Sequence, residues 1–262
     1  MIIGVDIGGT NINAGSVVNG KIIEKITVKS PKKKKDILEK IIFIIDILDN
    51  SKVKAIGIGS PGPADYEKGI IKYTPHMELK GVNLKKLISR RFKKKVLMAN
   101  DAQCFALGES IRLKKKNVIG LTLGTGTGGG IVIDGKMYKG YGNAGHLGHC
   151  TIKFDGPSIG FNSGSMESYI SAKAIKRDYK ASPSRLKSRK AWNEIGAKLG
   201  IGISNLINAF DPDVITLGGG ISNAFNLFKN SMNKEISKRA IRKVPVIKGR
   251  EDSNILGAAS LF

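Results

Sequence analysis

Along the first thirty residues apolar positions come in short β-branched runs broken by glycine and asparagine. Ile2 to Asp6 reads as a strand, the pattern resumes from Asn13 to Val18, and Asn19-Gly20 signals a tight hairpin into Lys21 to Val28. The period then changes from two to that of a helix, with Ile37, Ile41, Ile44, Ile45 and Leu48 on one face of Asp36 to Leu48. Ala55 to Ile58 is again strand-like, which gives a β-β-β-α-β opening.

That opening recurs. Gly9-Thr10 through Asn19-Gly20-Lys21 lines up without a gap on Gly124-Thr125 through Asp134-Gly135-Lys136, each a Gly-Thr turn, a glycine-bearing apolar strand and an Asn-Gly or Asp-Gly hairpin. An internal duplication of this kind predicts two similar halves and a cleft between them where a small ligand binds. The division falls between Gly108 and Asn117, where a helix over Ala102 to Arg112 gives way to Lys114-Lys115-Lys116. Beyond it the spacing predicts helices over Met166 to Arg177 and Ala191 to Phe210, a strand over Val214 to Leu217, and a Gly218-Gly219-Gly220 turn into a further helix. Ser253 to Leu261 reads as a short terminal helix that pattern alone assigns to neither half.

Composition narrows the class. The 262 residues, 41% hydrophobic and 25% charged, have the balance of a soluble globular protein of two domains. No apolar run approaches the roughly 20 residues of a membrane span, and Met1 leads into a strand instead of a signal sequence, so a cytoplasmic protein with no membrane partner is expected. Cys104 and Cys150 lack CxxC spacing and build no disulfide framework. The formal charge of +23 sits in scattered lysine runs (Lys32 to Lys35, Lys93 to Lys95, Lys114 to Lys116) without interleaved aromatics. No specific nucleic-acid partner is expected from such a surface, although its field would attract a small anionic ligand.

Three glycine-rich turns carry the candidate chemistry. Gly8-Gly9-Thr10-Asn11 lies between two strands, where backbone amides form an anion nest and Asp6, at the strand end, would orient a Mg²⁺ through water. Taken alone this turn reads equally well as an ordinary glycine turn; its duplicate, Leu123 to Gly130 with Thr125 and Gly126, shifts the reading toward function. With Gly219 and Gly220 there are three glycine turns at strand ends, enough for the phosphates and purine of a nucleotide. Two GxxxxGK matches, Gly15 to Ile22 and Gly130 to Met137, lack the Ser or Thr of a phosphate-binding loop and sit in hairpins. Gly57 to Gly62 has the GxGxxG form, but Pro61 and Pro63 block the helix a dinucleotide needs. Asn100-Asp101 opens a helix after the strand Val96 to Ala99; it is either a plain cap or a carboxylate at the cleft mouth, placed to take a proton from a hydroxyl, with Asn100 bonding a neighbouring hydroxyl. His146 and His149, in Gly145 to Cys150, are too few for a closed zinc site and read as ligand contacts.

Together DIGGTNI, SPGP at Ser60 to Pro63, Asn100-Asp101-Ala102, LGTGTGGG, GHLGH, SMESYIS and LGGGIS resemble the ROK family of repressors, open reading frames and kinases, in order and across the chain. The resemblance implies the α/β actin-like (ribonuclease H-like) ATPase fold, a small domain over 1–112 with helix 253–262 packing back on it, and a large domain over 113–252. It implies that Gly8, Gly9, Thr10, Asn11, Thr125, Gly126, Gly219 and Gly220 hold ATP, that Asp101 is the base, and that Asn100, His149, Glu167, His146 and Gly62 face the sugar. The implied activity is ATP- and Mg²⁺-dependent phosphorylation of a hexose, first of all glucose at O6, by an enzyme that forms homodimers in the family; the alternative is a sugar-binding regulator or pseudokinase. Because the first nucleotide-binding strand starts at Ile2, no helix-turn-helix is expected before it. Two departures stand out. Ser158, Gly160 and Ser165 occupy the register of the family's zinc-binding cysteines, so zinc is expected to be absent and the orientation of His149 needs another cause. His146 replaces the usual glutamate of GExGH, which changes the hydroxyl pattern the site can satisfy.

Overall fold

The computed structural model describes residues 1–74, 77–142, 144–160 and 162–262. In chain order its elements are β1 (Ile2–Ile7), β2 (Asn11–Val18), β3 (Lys21–Lys29), α1 (Lys34–Leu48), β4 (Ala55–Ser60), β5 (Ala64–Asp65), β6 (Ile70–Ile71), α2 (Leu84–Phe92), β7 (Lys95–Asn100) and α3 (Asp101–Leu113). The second half follows as β8 (Val118–Leu123), β9 (Thr127–Ile133), β10 (Lys136–Met137), α4 (Glu167–Ile170), α5 (Ala172–Tyr179), α6 (Arg189–Phe210), β11 (Val214–Gly218), α7 (Phe225–Arg239), β12 (Val246–Lys248) and α8 (Ser253–Ala259).

The duplication read from the glycine turns is a duplication of topology. One sheet runs β3-β2-β1-β4-β7 and the other β10-β9-β8-β11-β12, each with an antiparallel meander joined to parallel strands. Both hairpins place two residues in the left-handed region, Asn19 and Gly20 at φ 48° and 71° and Asp134 and Gly135 at φ 51° and 75°, the conformation that Asn-Gly and Asp-Gly favour. Pairing of Ile7 with Ile12, against Leu123 with Thr127, shows that the first turn is one residue longer in the first copy. In that register Asp6, opposite Asn13, occupies the position that Thr122, opposite Gly128, holds in the second.

Each sheet buries its own core. The helical spacing in α1 puts Ile37, Ile41, Ile44, Ile45 and Leu48 against Ile3, Val5, Ile56 and Ile58. In the second half Ile119, Leu121 and Leu217 meet Trp192, Ile195 and Leu199 of α6 and Phe228 of α7. One expectation differs: the helix predicted over Met166 to Arg177 is broken at Ser171, which is extended (φ −65°, ψ 159°). Ser171 Oγ accepts from Ala174 N and caps α5, while Ala172 N donates to Gly124 O at 2.8 Å, so the break fastens this segment to the second glycine turn.

The terminal helices of the two copies exchange places. α3 follows β7 yet lies on the second sheet, where Gly120 and Gly130 admit Ala102 and Ala106. α8 follows β12 yet lies on the first, where a Cβ on Gly57 would stand 1.8 Å from Ala258 O and one on Gly4 2.1 Å from Ile255 O. The two helices also cross each other with no side chain between them, because a Cβ on Gly108 would stand 1.9 Å from Ser253 O and one on Gly257 1.8 Å from Cys104 O. The buried Glu109 seals this crossing, accepting from Arg112, from Arg250 N at 3.1 Å and from Ser253 Oγ. Among the described residues no helix is long and apolar enough to cross a membrane.

Gly57→Ala is therefore expected to cost about 3 kcal/mol in urea-induced unfolding by pushing α8 off the sheet. Gly9→Ala, where a Cβ meets nothing within 4 Å, should stay within about 0.5 kcal/mol of the wild type. Equal midpoints for the two variants would contradict the packing of α8.

Candidate active site

Parallel pairing aligns Asp6 of β1 with Gly59 of β4, and Gly59 with Ala99 of β7, so the carboxyl ends of these strands deliver Asp6, Asn100 and Asp101 to one edge. Open α/β sheets bind ligands at this edge. Asp6 is buried, its Oδ2 accepting from Asn13 Nδ2 and its Oδ1 from Asn254 Nδ2, both at 3.1 Å. Asn254 Nδ2 also reaches the Asp101 carbonyl at 3.5 Å. Burial is the main cause that pushes the Asp6 carboxyl up to about 6; the Asp101 charge adds to it, and the two amides and Lys25 oppose it. Asp101, at the first position of α3, is also raised by burial, against the Ala102 N–H at 2.9 Å. A carboxylate with raised proton affinity is a better acceptor for a hydroxyl proton than an ordinary one.

Asn100 is more committed than its sequence suggests. Its Oδ1 caps α3 by accepting from Ala102 N and Gln103 N, and its Nδ2 donates to Tyr66 Oη at 3.2 Å. The hydroxyl it meets in the structure is thus that of Tyr66, which itself donates to Ser60 O. Gly62 is placed with them, since a Cβ there would stand 2.5 Å from Tyr66 Oη.

On the facing half, Gly148 presses against Thr127 O, and Gln103 Nε2 of α3 donates to Ala144 O at 2.8 Å, so the segment carrying His146 and His149 lies beside the start of β9. The two imidazole centroids are 5.7 Å apart. Glu167 Oε2 accepts from Thr127 N at 2.6 Å and lies against Gly126. The His146 imidazole is pushed down first by burial and then by His149, with Glu167 pulling the other way, so all three groups share one field.

The glycine turns complete the edge. A Cβ on Gly9, Gly124 or Gly220 would meet nothing within 4 Å, an open backbone surface of the kind a phosphate occupies, and Thr10, Asn11 and Thr125 are exposed beside it. Gly219, at φ 79°, packs against Leu123 O and joins the second and third turns. The nests are smaller than their sequence implies, however: Gly8 N is spent on Asn11 O and Gly124 N on Gly126 O.

A magnesium ion fits the Asp6 carboxylate, a hard oxygen donor beside a second carboxylate and an open glycine turn. Zinc does not fit the segment 158–165. Ser158 Oγ accepts from Gly160 N, Ser165 Oγ pairs with Ser168 Oγ at 2.8 Å, and Phe161 within it lies outside the described residues. No thiolate set is offered there, and among the described residues no three His, Cys, Asp or Glu cluster for a metal. Sequence reasoning missed Asn13, Tyr66, Asn162 and Asn254. Asn13 directly follows DIGGTNI, Tyr66 lies three residues beyond Pro63 and Asn162 lies within segment 158–165, whereas Asn254 stands near no glycine turn or motif.

Two sheets of one order, crossed terminal helices and glycine turns at the strand ends make this an actin-like ATPase fold. The chain belongs to the ROK family, whose profile matches residues 2–262. It is 30% identical to the glucokinase of Thermotoga maritima, over 100% of this chain and 96% of that protein. It is 31% identical to the N-acetyl-D-glucosamine kinase of Mannheimia succiniciproducens, over 100% and 99%. A ROK family glucokinase from Streptomyces griseus, solved in complex with glucose and AMPPNP, superposes with a TM-score of 0.83 at 28% identity, covering 99% of this chain and 98% of that one.

Because Asp6 binds its proton more tightly folded than unfolded, its contribution to stability is present at pH 4 and lost as pH rises through about 6. Without added divalent metal, the stability difference between Asp6→Asn and the wild type should therefore move in the variant's favour by up to about 3 kcal/mol from pH 4 to pH 7. Urea titrations at the two pH values measure it, and an unchanged difference would place the Asp6 pKa in the ordinary range.

Proposed function

We propose that the protein is an ATP-dependent hexose kinase that transfers the γ-phosphoryl group to a sugar hydroxyl, with glucose O6 as the first acceptor to test. The observation that carries this reading is the position of Asp101. A carboxylate of raised proton affinity opens α3, with the Gly8 to Asn11 turn on one side and the His146, His149 and Glu167 group on the other half.

In this reading Asp101 accepts the hydroxyl proton as the oxygen attacks phosphorus. Gly8, Gly9, Thr10 and Asn11 with Thr125 and Gly126 cradle the phosphates, and Gly219 and Gly220 border the rest of the nucleotide. Asp6 would be the residue that holds Mg²⁺ through water, and the ion would supply charge neutralisation at the phosphates. His149, Glu167, His146 and Gly62 orient the sugar, with Asn100 and Tyr66 as a rigid floor. The moving bodies are 1–112 with residues 253–262, and 113–252; their closure expels water and suppresses hydrolysis. His146, in a glutamate's place, offers one donor and one acceptor when neutral, so the panel of acceptors should include N-acetyl-D-glucosamine beside glucose.

Asp101→Ala is expected to lower ADP formation about 10²- to 10⁴-fold while calorimetric sugar binding persists. Survival of more than about a few per cent of the rate would remove Asp101 as the base. The rival reading, a sugar-binding regulator or pseudokinase, draws on the same departures at His146 and at Ser158, Gly160 and Ser165. It predicts wild-type protein that binds sugar and forms no ADP with any acceptor.

A further inference from the structure

His149 ends a 3-10 turn over Leu147–His149, after which the chain is extended at Cys150 and, among the described residues, enters no helix or named strand until α4. What holds this stretch is a second irregular segment. Ile152 N and Lys153 N donate to Gly164 O at 2.8 and 3.2 Å, and Met166 N donates to Cys150 O at 2.9 Å. One side chain joins these backbone links and reaches His149 itself: Asn162 Nδ2 donates to the His149 carbonyl at 2.7 Å and lies 3.5 Å from Thr151 Oγ1. The carbonyl can only accept, which fixes the amide with its nitrogen toward His149. Asn162 Oδ1 is buried without a hydrogen-bond partner, a cost borne by an amide held for its donor end. The Asn162 carbonyl in turn lies 3.5 Å from Ser168 Oγ, which pairs with Ser165 Oγ at 2.8 Å directly before the helix that carries Glu167.

We infer that Asn162 is a positioning residue for the acceptor sugar, acting through His149, whose backbone it fixes relative to the segment bearing Glu167. The inference rests on the reading of His149 as a sugar contact. Ser158, Gly160 and Ser165 give this segment no thiolates for coordination, and Asn162 Nδ2 is a side chain of the segment that bonds the His149 backbone directly. Loss of the donor lets the imidazole drift, weakens sugar binding and leaves the nucleotide turns untouched.

The test is a double-mutant cycle on the full chain with glucose and N-acetyl-D-glucosamine as probes. Asn162→Asp keeps the shape and removes the donor. It should raise the sugar KM about tenfold, the worth of one hydrogen bond, with kcat and the KM for ATP nearly unchanged. In a His149→Ala background it should change sugar affinity no further. If Asn162→Asp does not fold, Asn162→Ala gives the same comparison. An unaltered sugar KM, an equal loss of kcat and of nucleotide affinity, or an effect that persists in the His149→Ala background would each overturn the inference. A His149→Ala protein with normal sugar affinity would sink the reading beneath it as well, and the single variant shows which has failed.

Discussion

Backbone against backbone, with no side chain between, is the contact on which the molecule depends. At Gly4 and Gly57 the first sheet touches α8, and at Gly108 and Gly257 α8 touches α3, each at a separation a single methyl group would abolish. Close packing of this kind tolerates little adjustment. It lets the two helices cross at backbone contact, and it brings the first turn of each to the same carboxylate. Asp101 arrives at the head of α3 and Asn254 at the head of α8, and both face Asp6.

The electrostatics of the edge follow from that convergence. Two carboxylates share one corner, Asp6 buried and Asp101 half-buried, and each is raised chiefly by loss of water. Side-chain amides answer part of the cost, Asn13 and Asn254 on Asp6 and Asn100 beside Asp101. The remainder is an unrelieved cost in the folded protein, of the kind that trades stability for chemistry at functional sites. Asn100 shows the same economy: one side chain caps a helix, braces Tyr66 and stands next to Asp101.

Much of this was legible along the chain because it is local. The two hairpins were announced by Asn19-Gly20 and Asp134-Gly135, and α1 by the spacing of its isoleucines. The glycine turns and Asp101 were visible as motifs, and the family match extends over residues 2–262. The partners of those motifs were not legible. Asn254 lies 248 residues from Asp6, and Asn162 sits 13 residues beyond His149 in a segment without periodicity, so neither has a local signal to mark it. The break at Ser171 was hidden for a related reason, since a helix-forming pattern was overridden by a hydrogen bond to Gly124 O. Propensity describes what a segment prefers alone, and these residues answer to distant neighbours.

The register of the duplicated strands shows where the two copies have diverged. Where the first copy has Asp6 opposite Asn13, the second has Thr122 opposite Gly128, and a Cβ on that glycine would stand 2.6 Å from the threonine hydroxyl. The second copy has therefore filled with a hydroxyl the space that the first keeps for a carboxylate and its amide. Two like halves have in this way become unlike at one shared position: the first copy carries a buried carboxylate there and the second a neutral hydroxyl.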